Sequence, residues 1–289
     1  MQHIFILKQN KEAHAFINQV QDIIKRLNAI VFYSSSLEES IQMIQFLDKP
    51  SRLYIGGGDG TINNLLPVLV DSEHEVVVLP MGTGNDLNRA ISFTKDPIEI
   101  LKASLLNSST KVDVIQINNT YCINTACFGL DSTIATHLHD ETTLPIPDKM
   151  GYIVGILKYI FRYHGYHITF SNGTQELYNN KVTLFTINNG IYYGGGFAST
   201  PKADLSDGLL DVLIVDYLPL WKVPYLFLLL LAKKLEGRKE VHYLRITEGR
   251  VISPDNTCNK DGEEYISDLY EVKVLPEKIN LVFNREYTH

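Results

Sequence analysis

The stretch Tyr54–Leu66, YIGGGDGTINNLL, joins an apolar strand-like segment to a helix-like segment through a run of glycines. Consecutive glycines cost conformational entropy, so they occur where the backbone approaches a ligand closely or adopts positive φ. Backbone N–H groups ahead of a helix favour an anion such as a phosphate. Asp59 would repel that phosphate unless a divalent cation lies between them. The stretch therefore predicts a strand–loop–helix unit for a nucleotide phosphate with Mg²⁺; the simpler interpretation is a tight turn.

A second glycine loop, LPMGTGNDLNR at Leu79–Arg89, also follows a strand-like segment and leads into a helix. The carboxyl ends of neighbouring parallel strands meet at one edge of a sheet, so the two loops are predicted to enclose a cleft. Neither common phosphate fingerprint is present at the first loop. No Lys-Ser/Thr pair follows it, and GxGxxN lacks the third glycine of a dinucleotide site.

The rest of the chain predicts two domains. In residues 1–112, continuous apolar strands alternate with helices, which is typical of an α/β nucleotide-binding domain with a mostly parallel sheet. One helix is expected over Ala13–Leu27, and Pro67 is expected in a first turn or at a kink. Residues 113–278 show short alternating segments separated by turns, which predicts a β-rich, antiparallel, sandwich-like domain. A last strand within 279–289 could return to the first domain.

Composition excludes several classes of protein. With 289 residues, 45% hydrophobic and 20% charged, the chain is predicted to be globular with two domains. A net charge of -7 without any Lys/Arg run argues against nucleic-acid binding. Cys122, Cys127 and Cys258 lack CxxC spacing, so we expect small buried thiols in a cytoplasmic protein. The longest apolar stretch, Tyr225–Ala232, is far below the roughly 20 residues that span a bilayer, and no signal peptide is expected.

The pairing of GGDGT (Gly57–Thr61) with GTGND (Gly82–Asp86) resembles the catalytic domain of the diacylglycerol kinase and sphingosine kinase superfamily. In length the chain is similar to the bacterial soluble lipid kinases, whereas NAD kinases and phosphofructokinases are similar around the first motif only. The resemblance continues at VDV, at Asn188–Val215 with its P-x-A and DG-x-L-D segment, and at the DGE of Asn259–Tyr265. The N-terminus differs, because FILKQNKEAH stands where the family has Asn-Pro and a Ser-Gly turn.

The resemblance implies an ATP- and Mg²⁺-dependent lipid kinase with its active site between the two domains. It would transfer the γ-phosphate to a lipid hydroxyl, first of all that of diacylglycerol to give phosphatidic acid, while touching a membrane peripherally. Two alternatives stay open: an NAD kinase-like kinase of a soluble substrate, and a non-catalytic nucleotide- or lipid-binding regulator. A homodimer is also left open.

The expected catalytic groups are the carboxylates of Glu263, Asp261 and Asp59. A hydroxyl that attacks a phosphoryl group needs a nearby base. The resemblance implies Glu263 as that base with Asp261 assisting, although an ordinary Asp-Gly hairpin turn is the alternative. It also implies an Asp–water–Mg²⁺ network of Asp59, Asp86 and Asp113, each expected just after a strand. Asp59 is expected to organise both metal and nucleotide.

Further ligands are implied by the same resemblance. The nucleotide-binding residues are expected to be Ser34, Gly57, Gly58, Asp59, Gly60, Thr61, Asn63, Gly82, Thr83, Gly84 and Asn85. A second, structural Mg²⁺ would be held by the Asp207 side chain and the main-chain carbonyls of Asp204 and Leu209. Without the resemblance, that segment is a plain β-turn.

Three other segments have competing interpretations. HLHDE at His137–Glu141 could bind zinc, but a solvated loop is favoured because no third ligand has suitable spacing. The helical pattern at Met150–Tyr163 is interpreted as a helix on the sheet rather than a lipid-binding element. For Trp221–Lys239, an apolar helix with a basic end, a cover for the sheet and an interfacial membrane surface are equally weighted.

Overall fold

The structure is a computed structural model that describes residues 1–82, 84–129, 165–253 and 257–284 of the chain. The chain divides into two compact units. Unit 1 contains Met1–Asp113 and the described part of Pro276–His289, and unit 2 contains the described part of Val114–Leu275. The expected segments His137–Glu141 and Met150–Tyr163 lie outside the described residues.

Unit 1 is an α/β domain with a parallel sheet, as the alternation of strands and helices predicts. Its strands are β1 (Gln2–Lys8), β2 (Ile30–Ser34), β3 (Ser51–Gly57), β4 (Glu75–Pro80) and the end of β17 (Leu269–Val282). They lie in the order β2-β1-β3-β4-β17, and every neighbouring pair is parallel. The helices are α1 (Lys11–Gln19), α2 (Gln21–Leu27), α3 (Leu37–Gln45), α4 (Asp59–Leu69), α5 (Asp86–Ile91) and α6 (Pro97–Ser104).

The core of unit 1 lies on the continuous apolar strands. Phe5 of β1 stacks on Tyr54 of β3 with ring centroids 4.4 Å apart, and both side chains are fully buried. Side-chain caps begin three of the helices, where Asn10, Ser36 and Asp96 accept backbone N–H groups of the first turns. Each such cap stabilises its helix by about 1 kcal/mol.

Two helix predictions are wrong in detail. The single helix expected over Ala13–Leu27 is two helices, because the chain breaks at Val20, whose φ of -112° is not helical. Val20 is buried in the same apolar cluster as Phe5 and Phe16, so core packing overrides the local periodicity. Of the two positions expected for Pro67, the first turn is wrong, because Pro67 lies in the last turn of α4 and the helix ends two residues later.

Unit 2 is a β-rich sandwich domain with antiparallel pairing. Its strands are β5 (Ser109–Ile117), β6 (Thr120–Cys122), β7 (Thr125–Gly129), β8 (Tyr166–Asn172), β9 (Gln175–Asn188), β10 (Tyr192–Tyr193), β11 (Phe197–Ala198), β12 (Leu210–Asp216), β13 (Val241–Ile246), β14 (Glu248–Ile252), β15 (Cys258–Lys260) and β16 (Glu263–Tyr265), with β5 and β17 shared with unit 1. The main path is β16-β15-β7-β9-β8-β14-β17, while β12 joins β9 to β13 and β10 pairs with β11. A short 3-10 helix, Leu220–Lys222, leads into α7 (Val223–Leu231).

Two apolar clusters fill unit 2. In one, Phe128, Phe185 and Tyr270 meet edge to face among buried strand residues. In the other, α7 packs on β9, β11 and β12. All three cysteines are buried and free of disulfides, as predicted, and burial raises the pKa of the Cys122 and Cys258 thiols. No helix in the described ranges is long and apolar enough to cross a membrane.

Candidate functional site

The two glycine loops of unit 1 leave the same edge of the parallel sheet. Strand β3 ends at Gly57 and β4 at Pro80, and these two residues are register partners. Backbone hydrogen bonds then join the loops: Met81 N donates to Gly57 O at 3.1 Å, and Asp59 N donates to Gly84 O at 3.0 Å. The loops therefore form one unit, which we call the glycine-loop pair, Gly57–Thr61 with Gly82–Asp86.

Close approach of the two loops explains why Gly58 and Gly82 must be glycines. A Cβ on Gly58 would lie 2.5 Å from Gly84 O, and a Cβ on Gly82 would lie 2.6 Å from Gly58 N. A Cβ on Gly57 would clash with the side chain of Thr61. None of these three glycines is in the positive-φ region. Packing between the loops therefore explains Gly58 and Gly82, and packing against Thr61 of its own loop explains Gly57.

Gly60 differs from its neighbours. A Cβ built on it meets no described atom within 4 Å, although the residue lies in the first turn of α4. An alanine would suit this helical backbone and would not strain the loop. Packing in the described part of the chain therefore gives no reason for glycine here, while the approach of a ligand would.

We expect Gly60→Ala to weaken ATP binding without weakening the fold. If a nucleotide phosphate binds at this turn, the new methyl group stands in its path, so the Kd for ATP should rise by about tenfold or more, ~1.4 kcal/mol. The free energy of unfolding should stay equal or rise by up to ~1 kcal/mol, since alanine favours the helix. Calorimetric titration and denaturant unfolding measure the two effects.

Gly58→Ala is the matched control, because it should lower stability through its clash with Gly84 O. A Gly60→Ala protein that binds ATP like the wild type would show that the phosphate is held elsewhere.

Asp59 ties the two loops together. Its Oδ2 accepts from Asp86 N at 2.8 Å and its Oδ1 accepts from Leu87 N at 3.0 Å. Asn85, the residue at the N-cap position of α5, makes no capping bond of its own, so Asp59 caps this helix from the other loop. A carboxylate at a helix N-terminus is stabilised by the helix dipole. Asp59 therefore has a structural role that its sequence position alone did not reveal.

The other expected nucleotide residues lie on or beside the same sheet edge. Asp86 is buried at the start of α5, with Oδ1 3.4 Å from Arg89 Nε, and Asn85 Nδ2 donates to Gly82 O at 2.7 Å. Asn63 is buried within α4. Ser34 ends β2, and its hydroxyl accepts from Ser40 Oγ at 2.8 Å. Thr83 lies outside the described residues.

The glycine-loop pair brings Asp59 and Asp86 together, with the Asp59 carboxylate bound to the backbone N–H of Asp86. Among the described residues, no cluster of three or more His, Cys, Asp and Glu side chains could hold a metal ion. Mg²⁺ is commonly bound by one or two carboxylates together with substrate phosphates. Asp59 and Asp86 would supply two carboxylates to such an ion, while Asp59 also accepts two amides and Asp86 lies beside Arg89.

The position expected for Asp113 is wrong. It does not follow a strand but lies inside β5, fully buried. Its Oδ1 accepts from Glu277 N at 2.9 Å, and Glu277 has a positive φ of 56°. The carboxylate thus stabilises the bend in β17 where the chain re-enters unit 1.

In unit 2, the DGE segment forms a two-residue hairpin turn. Asp261 and Gly262, between β15 and β16, both have positive φ, 47° and 93°, as a type I′ turn requires. The ordinary hairpin interpretation is therefore correct for the backbone. The side chains of this segment make further contacts, which a hairpin turn does not require.

The Asp261 carboxylate accepts three successive backbone N–H groups. Ile123 N and Thr125 N lie 2.7 and 2.8 Å from its oxygens, and Asn124 N lies 3.1 and 3.2 Å from them. Asp261 N in turn donates to Thr125 O at 3.0 Å. Asp261 thus fastens the hairpin to the chain segment before β7, and we call this arrangement the Asp261 anchor.

Burial raises the pKa of Asp261 to about 6, against the N–H groups and the Lys260 charge, which lower it. Between pH 3.8 and about 6, the native protein then keeps a proton that the unfolded chain releases. We expect the free energy of unfolding to fall as the pH rises through this window and to level off above it. A carboxyl ¹³C titration should show the Asp261 midpoint near 6.

A midpoint for Asp261 near its ordinary value of 3.8 would contradict that shift. In that case the three N–H groups would lower the pKa of Asp261 as much as burial raises it, and Asp261 would not contribute to the pH dependence of the free energy of unfolding.

Glu263 is the accessible carboxylate of the pair. Its side chain is 35% exposed, whereas Asp261 is buried. Glu263 Oε2 lies 3.3 Å from Lys260 Nζ, and the two residues face each other across the hairpin. Sequence reasoning missed Lys260, although its position three residues before Glu263, across a two-residue turn, would have indicated the pairing.

At the turn expected to hold a structural Mg²⁺, the acidic side chains contact other protein groups. Asp207 pairs with Arg245 through Oδ2 and accepts from Leu209 N through Oδ1 at 3.0 Å. The Asp204 Oδ1 accepts from both the N–H and the hydroxyl of Ser206. The side chain that the resemblance assigns to the cation is therefore held by a guanidinium that sequence reasoning missed. A Mg²⁺ ion at this turn would share the Asp207 carboxylate with Arg245 and with Leu209 N.

We expect Arg245→Ala to make this turn depend on Mg²⁺. Arg245 also lies 3.4 Å from Asp211, whose pKa burial raises and Arg245 lowers, so its loss leaves two carboxylates close together. The Tm should fall by about 2–4 °C, and Mg²⁺ without nucleotide should restore it. Wild-type Tm should not respond to EDTA. A wild-type Tm that falls in EDTA and recovers in Mg²⁺ would instead establish the structural cation.

Comparisons with known proteins agree with both units. Residues 8–117 match the diacylglycerol kinase catalytic domain, and residues 124–283 match the YegS C-terminal NAD kinase beta sandwich-like domain. A curated protein named "Probable lipid kinase YegS-like" from Shewanella frigidimarina is 28% identical over 263 residues, 84% of this chain and 82% of that protein.

Solved structures share the fold. The crystal structure of a diacylglycerol kinase from Bacillus anthracis superposes with a TM-score of 0.74 at 16% identity, covering 98% of this chain and 97% of that one. An NAD kinase from Archaeoglobus fulgidus in complex with ATP gives a TM-score of 0.56 at 14% identity, covering 99% and 94%. At these identities the likeness concerns the fold alone.

Proposed function

Because the chain belongs to the YegS-like lipid kinase family, with a diacylglycerol kinase catalytic domain, we propose that it transfers the γ-phosphate of ATP to the hydroxyl of diacylglycerol. The product is then phosphatidic acid. The observation that carries the proposal is the glycine-loop pair tied by Asp59, in which Gly60 leaves the start of α4 open to a ligand beside the Asp59 carboxylate. We propose that the enzyme acts in the cytoplasm and meets its acceptor at a membrane surface.

The glycine-loop pair holds the nucleotide. The phosphate oxygens bind at the start of α4, where Gly60 allows them to approach the backbone. Ser34, Thr61, Asn63, Thr83 and Asn85 complete the proposed set. Asp59 and Asp86 would hold a Mg²⁺ ion, which would supply neutralising charge at the nucleotide phosphates when bound.

Glu263 is the proposed base. The lipid hydroxyl oxygen forms a bond to the γ-phosphorus while the bond to the β,γ-bridging oxygen breaks, and ADP leaves. The hydroxyl proton passes to Glu263, whose carboxylate is accessible. The Asp261 anchor fixes the hairpin that carries this carboxylate.

An acceptor panel tests the proposal. Mixed micelles that present diacylglycerol, phosphatidylglycerol, ceramide or sphingosine are incubated with ATP, with and without Mg²⁺, and NAD is assayed in solution beside them. We expect Mg²⁺-dependent phosphorylation of diacylglycerol above the other acceptors. Phosphorylation of NAD alone would indicate the soluble-substrate kinase, and ATP binding without turnover would indicate the regulator.

A further inference from the structure

Helix α7 is apolar on both faces. Its inner face, Val223, Leu226 and Leu230, is buried against the sheet of unit 2. Its outer face and the preceding turn expose apolar side chains, with Trp221 75%, Tyr225 52% and Leu228 61% exposed. The solvent side of a helix in a water-soluble domain normally carries polar residues.

The exposed apolar residues lie on one side of the helix. Trp221, Tyr225, Leu228 and Leu231 follow one another at spacings of three or four residues, so they form a continuous stripe. We call this stripe the Trp221 face. Scattered exposed apolar residues are normal, but a contiguous patch marks a surface that contacts a membrane or another protein.

Positive charge borders the Trp221 face. Residues 217–240 contain five cationic and two acidic side chains, a net charge of +3 in a chain whose total is -7. Lys222 lies over the Trp221 ring and Arg238 over the Tyr225 ring, at 5.4 and 5.9 Å from their centroids. Aromatic residues flanked by Lys and Arg are typical of elements that lie in a bilayer interface.

We propose that the Trp221 face docks on an anionic lipid bilayer. The charge decides between this partner and a second copy of the chain, because two like-charged faces repel whereas anionic headgroups attract them. The nine residues of α7 span only ~14 Å against a hydrocarbon core of ~30 Å, so the helix lies in the interface. The proposal rests on the proposed function insofar as the acceptor lipid resides in that bilayer.

Trp221 itself provides the test, since it is the single tryptophan of the chain. Its emission should shift to shorter wavelength with vesicles of phosphatidylcholine and phosphatidylglycerol, and lipids brominated in the acyl chain should quench it. With phosphatidylcholine alone the shift should be much smaller, and added salt should weaken binding to the anionic vesicles.

Variants separate the apolar and the charged contributions. Leu228→Ser should reduce vesicle affinity about tenfold or more in co-sedimentation, because it removes a side chain from the acyl boundary. Lys233→Gln with Lys234→Gln should cost roughly tenfold or more on anionic vesicles and little on neutral ones. Leu106→Ser and the pair Lys25→Gln, Arg26→Gln are matched controls in unit 1 and should bind like the wild type; Leu106 is 88% exposed.

Several outcomes would overturn the proposal. Unchanged Trp221 emission during co-sedimentation would place the contact elsewhere, and a lipid-independent dimer that Leu228→Ser dissociates would identify a second copy as the partner. Activity on a dispersed short-chain diacylglycerol keeps the two proposals apart. If the Trp221 face does not dock on the bilayer but the proposed kinase activity is right, the enzyme still phosphorylates this dispersed acceptor. If the enzyme phosphorylates no acceptor, the proposed kinase activity is wrong, whatever the vesicle-binding results are.

Discussion

Replacing Glu263 by glutamine is expected to lower kcat for lipid phosphorylation by about 10²–10⁴-fold, the usual contribution of a general base. The amide has nearly the same shape as the carboxylate but cannot take the hydroxyl proton. Because Glu263 is part exposed on the short strand β16, the substitution should leave the Tm almost unchanged. The Kd for ATP should also be unaffected, since the proposed nucleotide site is the glycine-loop pair.

Glu264→Gln is the matched control for this experiment. Glu264 is the next residue of β16, exposed, and points to the opposite side of the strand. It should retain wild-type kcat. A Glu263→Gln enzyme with wild-type kcat and an intact fold would remove Glu263 from the chemistry.

Asp261→Asn is expected to lower the free energy of unfolding by about 2–4 kcal/mol. Both carboxylate oxygens of Asp261 accept backbone N–H groups from Ile123, Asn124 and Thr125. Whichever way the new amide turns, its NH₂ group faces an N–H donor, and at least one buried donor loses its acceptor. Denaturant unfolding followed by circular dichroism measures the loss.

Asp268→Asn, at an exposed position in the same unit, should change stability by less than about 0.5 kcal/mol and serves as the control. The Asp261 variant should also lose kcat at temperatures where it is still folded, because the hairpin that carries Glu263 is loosened. If Asp261→Asn were as stable as the wild type, the anchor would not hold the hairpin.

The elements of unit 1 were predictable because each strand and loop has a local signature. Apolar runs that end in glycine turns indicate strands followed by helices, and the two such turns do leave neighbouring strands. What local spacing could not indicate was the reason for the glycines. It lies in contact between loops about 25 residues apart, where a Cβ on Gly58 would strike Gly84 O.

The partners of the acidic residues were the least predictable part of the candidate sites. Asp59 binds amides 27 and 28 residues away, and Asp261 binds amides 136 to 138 residues away. Arg245 reaches Asp207 from a separate strand. Side-chain bonds to distant groups depend on the tertiary fold rather than on spacing. The partner of Asp113 was unpredictable for the same reason, because the N–H group that it accepts belongs to Glu277 of β17.

The break at Val20 has a related cause. The apolar periodicity over Ala13–Leu27 fits one helix, yet burial of Val20 beside Phe16 selects two. Periodicity reports which residues face the core, but it does not report how the backbone bends to bring them there.

Transfer of label from γ-³²P-ATP to diacylglycerol in mixed micelles tests the central claim most directly. The account predicts labelled phosphatidic acid from the wild type in the presence of Mg²⁺, and almost none from Glu263→Gln at equal ATP occupancy. Full ATP binding with no labelled lipid, or label that appears only on NAD, would contradict it.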